Sequence, residues 1–255
     1  NKNLKNILLS ALLLALACYF RPIYSIFSLY FFLKFFSDLR FDYKIWVYIL
    51  FNLILSLPAF YYVFVLDINK WATSYLFREN IITVISLVSS VIFFYFLPIL
   101  LSKDKLLLKR ILSFKGCIIF LLSLSLLLLF FEYEKPYSGG IFLKASSLLF
   151  NNNYLFFLIT SLGTVILYTI FFTGGKIYIF DIILLFILFL LEMDGVIYHE
   201  TYDPLLYILI FLLFKNNFFI DYVNKFNKNN FFILILFLSI FYFFAVFKDF
   251  ILYGS

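Results

Sequence analysis

Residues 81–101 read IITVISLVSSVIFFYFLPILL, a run without a single charged side chain. An α-helix rises about 1.5 Å per residue, and the hydrocarbon core of a bilayer is roughly 30 Å thick. A crossing therefore takes about 17 to 25 mostly apolar residues. Ile81–Leu101 fits that length, so a membrane-spanning helix is expected here, kinked at Pro98.

The same pattern repeats outward in both directions. Nine apolar runs qualify as membrane segments: Asn6–Phe20, Pro22–Phe36, Ile45–Leu66, Ile81–Leu101, Ile111–Phe131, Tyr154–Phe172, Ile177–Leu191, Tyr202–Phe214 and Phe231–Phe247. The first two and the eighth are short, as tilted, thinned or partly re-entrant helices would be. Pro58 lies inside the third run and predicts a second kink. The composition agrees, with 65% hydrophobic and 13% charged residues over 255 positions. Soluble domains are nearer half apolar and a quarter charged. A soluble fold of this size has too little interior to hide so much apolar surface. The expected fold is all-α: a polytopic transmembrane helical bundle of about nine membrane segments, forming one domain over residues 1–255.

Charge sets the expected sidedness. With the N-terminus in the cytoplasm and strict alternation, most of the 20 Lys and Arg residues fall on the inner side and most acids on the outer side. That is the asymmetry of cytoplasmic loops. The net charge of +6 then has a topological cause, and no basic patch interleaved with exposed aromatics points to nucleic acid. The expected location is a bacterial inner membrane, with the lipid bilayer as the main partner.

Two outer loops carry apolar stretches of their own. Asp67–Asn80, DINKWATSYLFREN, places Ile68, Trp71, Tyr75 and Leu76 at helical spacing, as an interfacial helix would. Glu132–Asn153 turns at Gly139-Gly140 before a second short apolar segment. The inner stretches SKDKLLLKR and KNNFFIDYVNKFNKNN read as ordinary positive connectors. Cys18 and Cys117 fall near opposite membrane faces, so free thiols are expected. No cleavable signal peptide is visible, and the first residue is Asn1, which suits a portion of a longer chain.

Familiar cofactor signatures are missing: no phosphate-binding loop, no dinucleotide glycine fingerprint and no Cys/His zinc cluster. His199 is the single histidine. The densest polar stretch is Glu192–Pro204, EMDGVIYHETYDP, at an expected outer boundary. Glu200 and Asp203 are candidate general bases, or oxygen ligands for a divalent cation. His199 is a candidate proton shuttle or phosphate donor. Asp194, Tyr198 and Tyr202 are candidate substrate contacts. The bland alternative is a solvated loop.

Arg21 interrupts the first apolar stretch in CYFRPIYSIF, Cys18–Phe27. A guanidinium there pairs or snorkels, and its fork suits a phosphate headgroup. Arg78 and Lys70 are weaker candidates for the same phosphate-binding role. Asp181, in KIYIFDIILLF, is a carboxylate just inside a span; a structural role with Lys176 or a neighbouring helix is expected. Lys115 and Lys144 are expected to snorkel.

Two segments carry a family resemblance. Ser10–Phe32, SALLLALACYFRPIYSIFSLYFF, resembles the helical hairpin of polytopic glycosyltransferases of the GT-C superfamily, in which an aliphatic helix ends at Arg-Pro. Tyr198–Phe214, YHETYDPLLYILIFLLF, is similar to their late segment, where an aromatic and polar cluster precedes Pro and an apolar helix. The resemblance covers about forty residues. It implies an inverting hexosyltransferase that uses a polyprenyl-phosphate-linked sugar on the non-cytoplasmic face, with a glycan or lipid acceptor. Such enzymes carry an acid in their first outer loop; here Arg21-Pro22 alone join the first two runs. On this resemblance the corresponding acid is expected upstream of Asn1, unless the resemblance is false, and the main catalytic base is left unassigned. The alternatives are a lipid-linked oligosaccharide transporter or flippase, a polysaccharide polymerase of the cell envelope, or a non-catalytic membrane subunit.

Overall fold

The computed structural model describes residues 3–20, 22–40, 42–64, 80–101, 111–133, 139–173, 177–191, 202–203 and 205–253. Among them the chain is all-helical, without a strand. The helices are α1 (Leu4–Phe20), α2 (Ile26–Leu39), α3 (Tyr43–Phe64), α4 (Ile81–Leu101), α5 (Phe114–Phe130), α6 (Gly140–Phe150), α7 (Tyr154–Tyr168), α8 (Ile179–Leu190), α9 (Leu205–Ile208), α10 (Asn217–Asn224) and α11 (Lys228–Tyr253). A 3₁₀ turn, Pro22–Ser25, precedes α2, and π-helical turns extend α7 over Thr169–Thr173 and α9 over Leu209–Leu213.

The number of full crossings departs from the nine expected. Among the described residues, Ile81–Leu101 and Tyr154–Phe172 are long and apolar enough to cross a membrane. A third joins them if Leu205–Leu213 and Asn217–Asn224 count as one span, although the two meet at 90°. Helices α1, α5, α6 and α8 are apolar but only 11–17 residues long, while α3 and α11 run for 22 and 26 residues, with Tyr43–Pro58 and Lys228–Phe243 as their fully described apolar parts. Local chemistry explains several of these. The second run loses its first turn to the 3₁₀ segment Pro22–Ser25. The fifth starts late because the Ser113 hydroxyl accepts from Gly116 N at 3.2 Å and caps α5 there. The eighth bends. Helices of this length and composition are consistent with a membrane protein.

The chain divides into two compact units. The first comprises Asn1–Ile85, Glu132–Glu134 and Ile179–Val196. In it α1 packs on α3, with Ile7, Ala11 and Tyr48 buried and Phe31, Phe35, Phe51 and Leu55 packed around them. Tyr19 donates to the Leu55 carbonyl at 2.9 Å, fixing the far end of the same pair. Helix α2 meets α8, where the Tyr30 and Phe180 rings stand edge to face at 6.1 Å. Thr83 exchanges two hydrogen bonds with the Glu132 backbone, each 3.2 Å.

The second unit comprises Ser86–Phe131, Lys135–Tyr178 and Ile197–Ser255. Its centre is the buried part of α4, from Leu87 to Phe96. Gly163 lets α7 come close: a Cβ there would sit 3.0 Å from the Phe93 side chain. Small residues at such crossings are how helices approach in lipid, where apolar contact alone gives little drive. Helices α5 and α6 flank α7. The expected turn at Gly139-Gly140 is present, with φ of 95° and 82°, and the short apolar segment after it is α6. The Ser146 hydroxyl donates to Asn152 O at 2.7 Å and accepts from Phe156 N at 3.2 Å, closing the α6–α7 turn. Outward, α5 leaves Leu121, Leu122, Leu128 and Leu129 exposed. An apolar outer face of this kind suits lipid as the solvent.

Candidate functional site

Asn216 organises one end of the second unit. It is buried, and its side-chain amide donates to Ile170 O at 2.6 Å, while its Oδ1 accepts from Phe218 N at 2.9 Å. The first bond satisfies a carbonyl of the π turn that ends α7; the second caps α10. Phe171, Phe214 and Phe219 close over this junction, with the Phe214 and Phe219 rings stacked at 4.9 Å. The second π turn thus ends where the chain bends by 90°, and such turns are frequent at functional sites. The sequence Lys215–Asn230 read as a plain connector; it contains α10 instead, which buries Phe218, Phe219 and Tyr222.

The break positions a group of tyrosines beside an acid. Tyr95 comes from α4, Tyr207 from α9 and Tyr222 from α10. The Tyr95 and Tyr207 rings meet edge to face at 5.5 Å. Asp203, just before α9, lies within electrostatic reach of both phenols. Loss of water by burial pushes its carboxyl above the usual carboxylate range. The hydroxyls of Tyr207 and Tyr222 are buried and have no hydrogen-bond partner among the described residues. A buried donor without a partner costs free energy on the order of 1–3 kcal/mol, so two together are unusual in a settled interior. Two phenol donors and a carboxylate able to take up a proton are thus gathered in one region.

Of the residues selected from sequence, Tyr202 and Asp203 are in this region, Tyr202 fully buried and Asp203 partly so. Arg21, Lys70, Arg78, Asp194, Tyr198, His199 and Glu200 lie outside the described residues. No group of three or more His, Cys, Asp or Glu able to hold a metal ion occurs among the described residues. Sequence reasoning missed Tyr95, Tyr207 and Tyr222. In a chain with 20 tyrosines a single one inside an apolar helix carries no contrast.

Asp181 belongs to the first unit. It is 1% exposed in the first turn of α8, and the Tyr30 phenol of α2 is within its electrostatic reach. Lys34 donates to that phenol at 3.2 Å and stands over its ring. The expected structural tie to a neighbouring helix thus has a partner helix, α2. Both cysteines are free thiols. Comparison with protein-family models, with characterised proteins and with solved structures gives no match for this chain.

Proposed function

We propose that the chain is an integral membrane glycosyltransferase of the bacterial inner membrane, moving a hexose from a polyprenyl-phosphate donor to a glycan or lipid acceptor on the non-cytoplasmic face. The observation that carries this reading is Asp203: a partly buried carboxyl with raised proton affinity, held beside buried phenols. In an inverting transfer the acceptor hydroxyl attacks the anomeric carbon, the bond to the phosphate oxygen breaks, and polyprenyl phosphate leaves. The acceptor proton passes to a general base. Asp203 is suited to that task because burial raises its proton affinity above that of an ordinary aspartate, which makes its carboxylate a stronger base. The Tyr207 and Tyr222 hydroxyls are suited to orient sugar oxygens.

The test is transfer from a polyprenyl-phosphate hexose by purified protein in liposomes, followed by release of polyprenyl phosphate. Asp203→Asn is expected to lower kcat about 10²- to 10⁴-fold, the range for loss of a general base. Wild-type turnover in that variant sinks the assignment, and no turnover by the unaltered protein with any such donor sinks the reaction class.

A second reading is a lipid-linked oligosaccharide transporter. The 90° break at Asn216 and the two π turns favour it, because transporters build substrate sites from discontinuous helices. Movement of a labelled lipid-linked oligosaccharide across the liposome bilayer, without sugar release, supports that reading over the enzyme.

A further inference from the structure

The rod Leu205–Leu213 and α10 meet at 90°, and the angle between them holds an open notch of about 120 Å³. Phe211, Leu212, Ile220 and Val223 give it accessible apolar surface, with Lys215 and Asn224 on its lining. Lys215 is exposed. Lys225 and Lys228, also exposed, stand at the other end of α10, so three lysines bracket the short helix, against one acid on it, Asp221. Helix α10 buries Phe218, Phe219 and Tyr222 and exposes Asn217, Asp221 and Asn224. The apolar face of α10 is packed into the protein, so what its surface offers outward is its polar face, with lysines at both ends, of the kind that meets anionic headgroups.

We propose that this elbow binds one anionic phospholipid, with the headgroup phosphate on Lys215 and part of an acyl chain in the notch. Charge complementarity selects an anionic head: Lys215, Lys225 and Lys228 outweigh Asp221. The apolar walls select a lipid over a free anion, since an inorganic phosphate gains nothing from Phe211 and Ile220. The notch is too small for a folded partner and has room for a few methylene groups. The site is separate from Asp203, which precedes the rod while Lys215 follows it.

The experiment is native mass spectrometry of the full chain in neutral detergent, with short-chain phosphatidylglycerol or phosphatidylcholine added at equal concentration. One phosphatidylglycerol is retained in preference to phosphatidylcholine. Lys215→Gln weakens that retention about fivefold, the effect of one lysine near an anionic surface. Ile220→Trp, which fills the notch from a position 37% exposed and leaves every charge in place, weakens it as strongly. Ile220→Phe serves the same purpose if the tryptophan variant does not fold. Equal retention of the two lipids overturns the proposal, as does wild-type retention in either folded variant. Displacement by millimolar inorganic phosphate marks a free-anion site and overturns it as well.

Discussion

The Asn216 amide donates to the Ile170 carbonyl at 2.6 Å across 46 residues of chain. This bond holds two helix ends together at a place where both have lost their regular ladder. Replacing Asn216 with Leu removes it and the α10 cap together and leaves the Ile170 carbonyl buried. The expected loss is about 2–4 kcal/mol, the sum of a cap and an unsatisfied buried acceptor. Unfolding in mild detergent, followed by helical circular dichroism, measures it.

Tyr207→Phe is expected to do the opposite to stability. The hydroxyl it removes has no partner among the described residues, so unfolding midpoints should hold or rise. Transfer should nevertheless fall about 10-fold or more, as when a site loses a donor to a substrate oxygen. An equal fall in both properties shows that the hydroxyl matters to folding alone.

Asp203 gives a pH signature. Its carboxyl sits above the ordinary 3.8, so the acid limb of the rate profile should lie above the range of an exposed aspartate. Stability follows the same group. A raised value in the folded state means the folded form holds the proton more tightly. The resulting stabilisation is complete below the unfolded value and declines as pH rises through the folded one. Asp203→Asn should remove that decline, which unfolding midpoints across pH 3 to 8 will register as a flatter profile (the interval brackets ordinary and raised carboxyls, about 4 upward).

Gly163→Ala tests the close approach of α7. The new methyl would lie 3.0 Å from Phe93 Cβ and Cγ, so the helices must separate or Phe93 must shift. Overpacking of this kind costs about 1–3 kcal/mol. A midpoint within error of the parent contradicts the packing described.

The two helices long and apolar enough to cross a membrane were legible because nothing competes with them: Ile81–Leu101 and Tyr154–Phe172 are uncharged throughout. The shorter runs misled for a physical reason. Hydropathy sums side chains, while helix length is decided by caps and turns such as Ser113 and Pro22–Ser25. Just after the eighth run the signal was present. Phe218, Phe219 and Tyr222 follow a helical spacing, yet Asn and Lys dominate Lys215–Asn230 and read as a loop. Asp203 and Tyr202 stood out by their polar company. Tyr95 became visible only once α4 was brought to Tyr207, since proximity across more than a hundred residues leaves no local trace, and Tyr222 only once the bend turned α10 back toward α9.

The length of the rod between Asp203 and Lys215 has a consequence for its surroundings. Leu205–Leu213 is about 14 Å long at 1.5 Å per residue, less than half the hydrocarbon depth of an ordinary bilayer. A lipid-facing element that short is matched by local thinning of the bilayer. A dimple of that kind is easier to form where acyl tails are short, which makes tail length a control on how readily a bulky amphiphile reaches the protein.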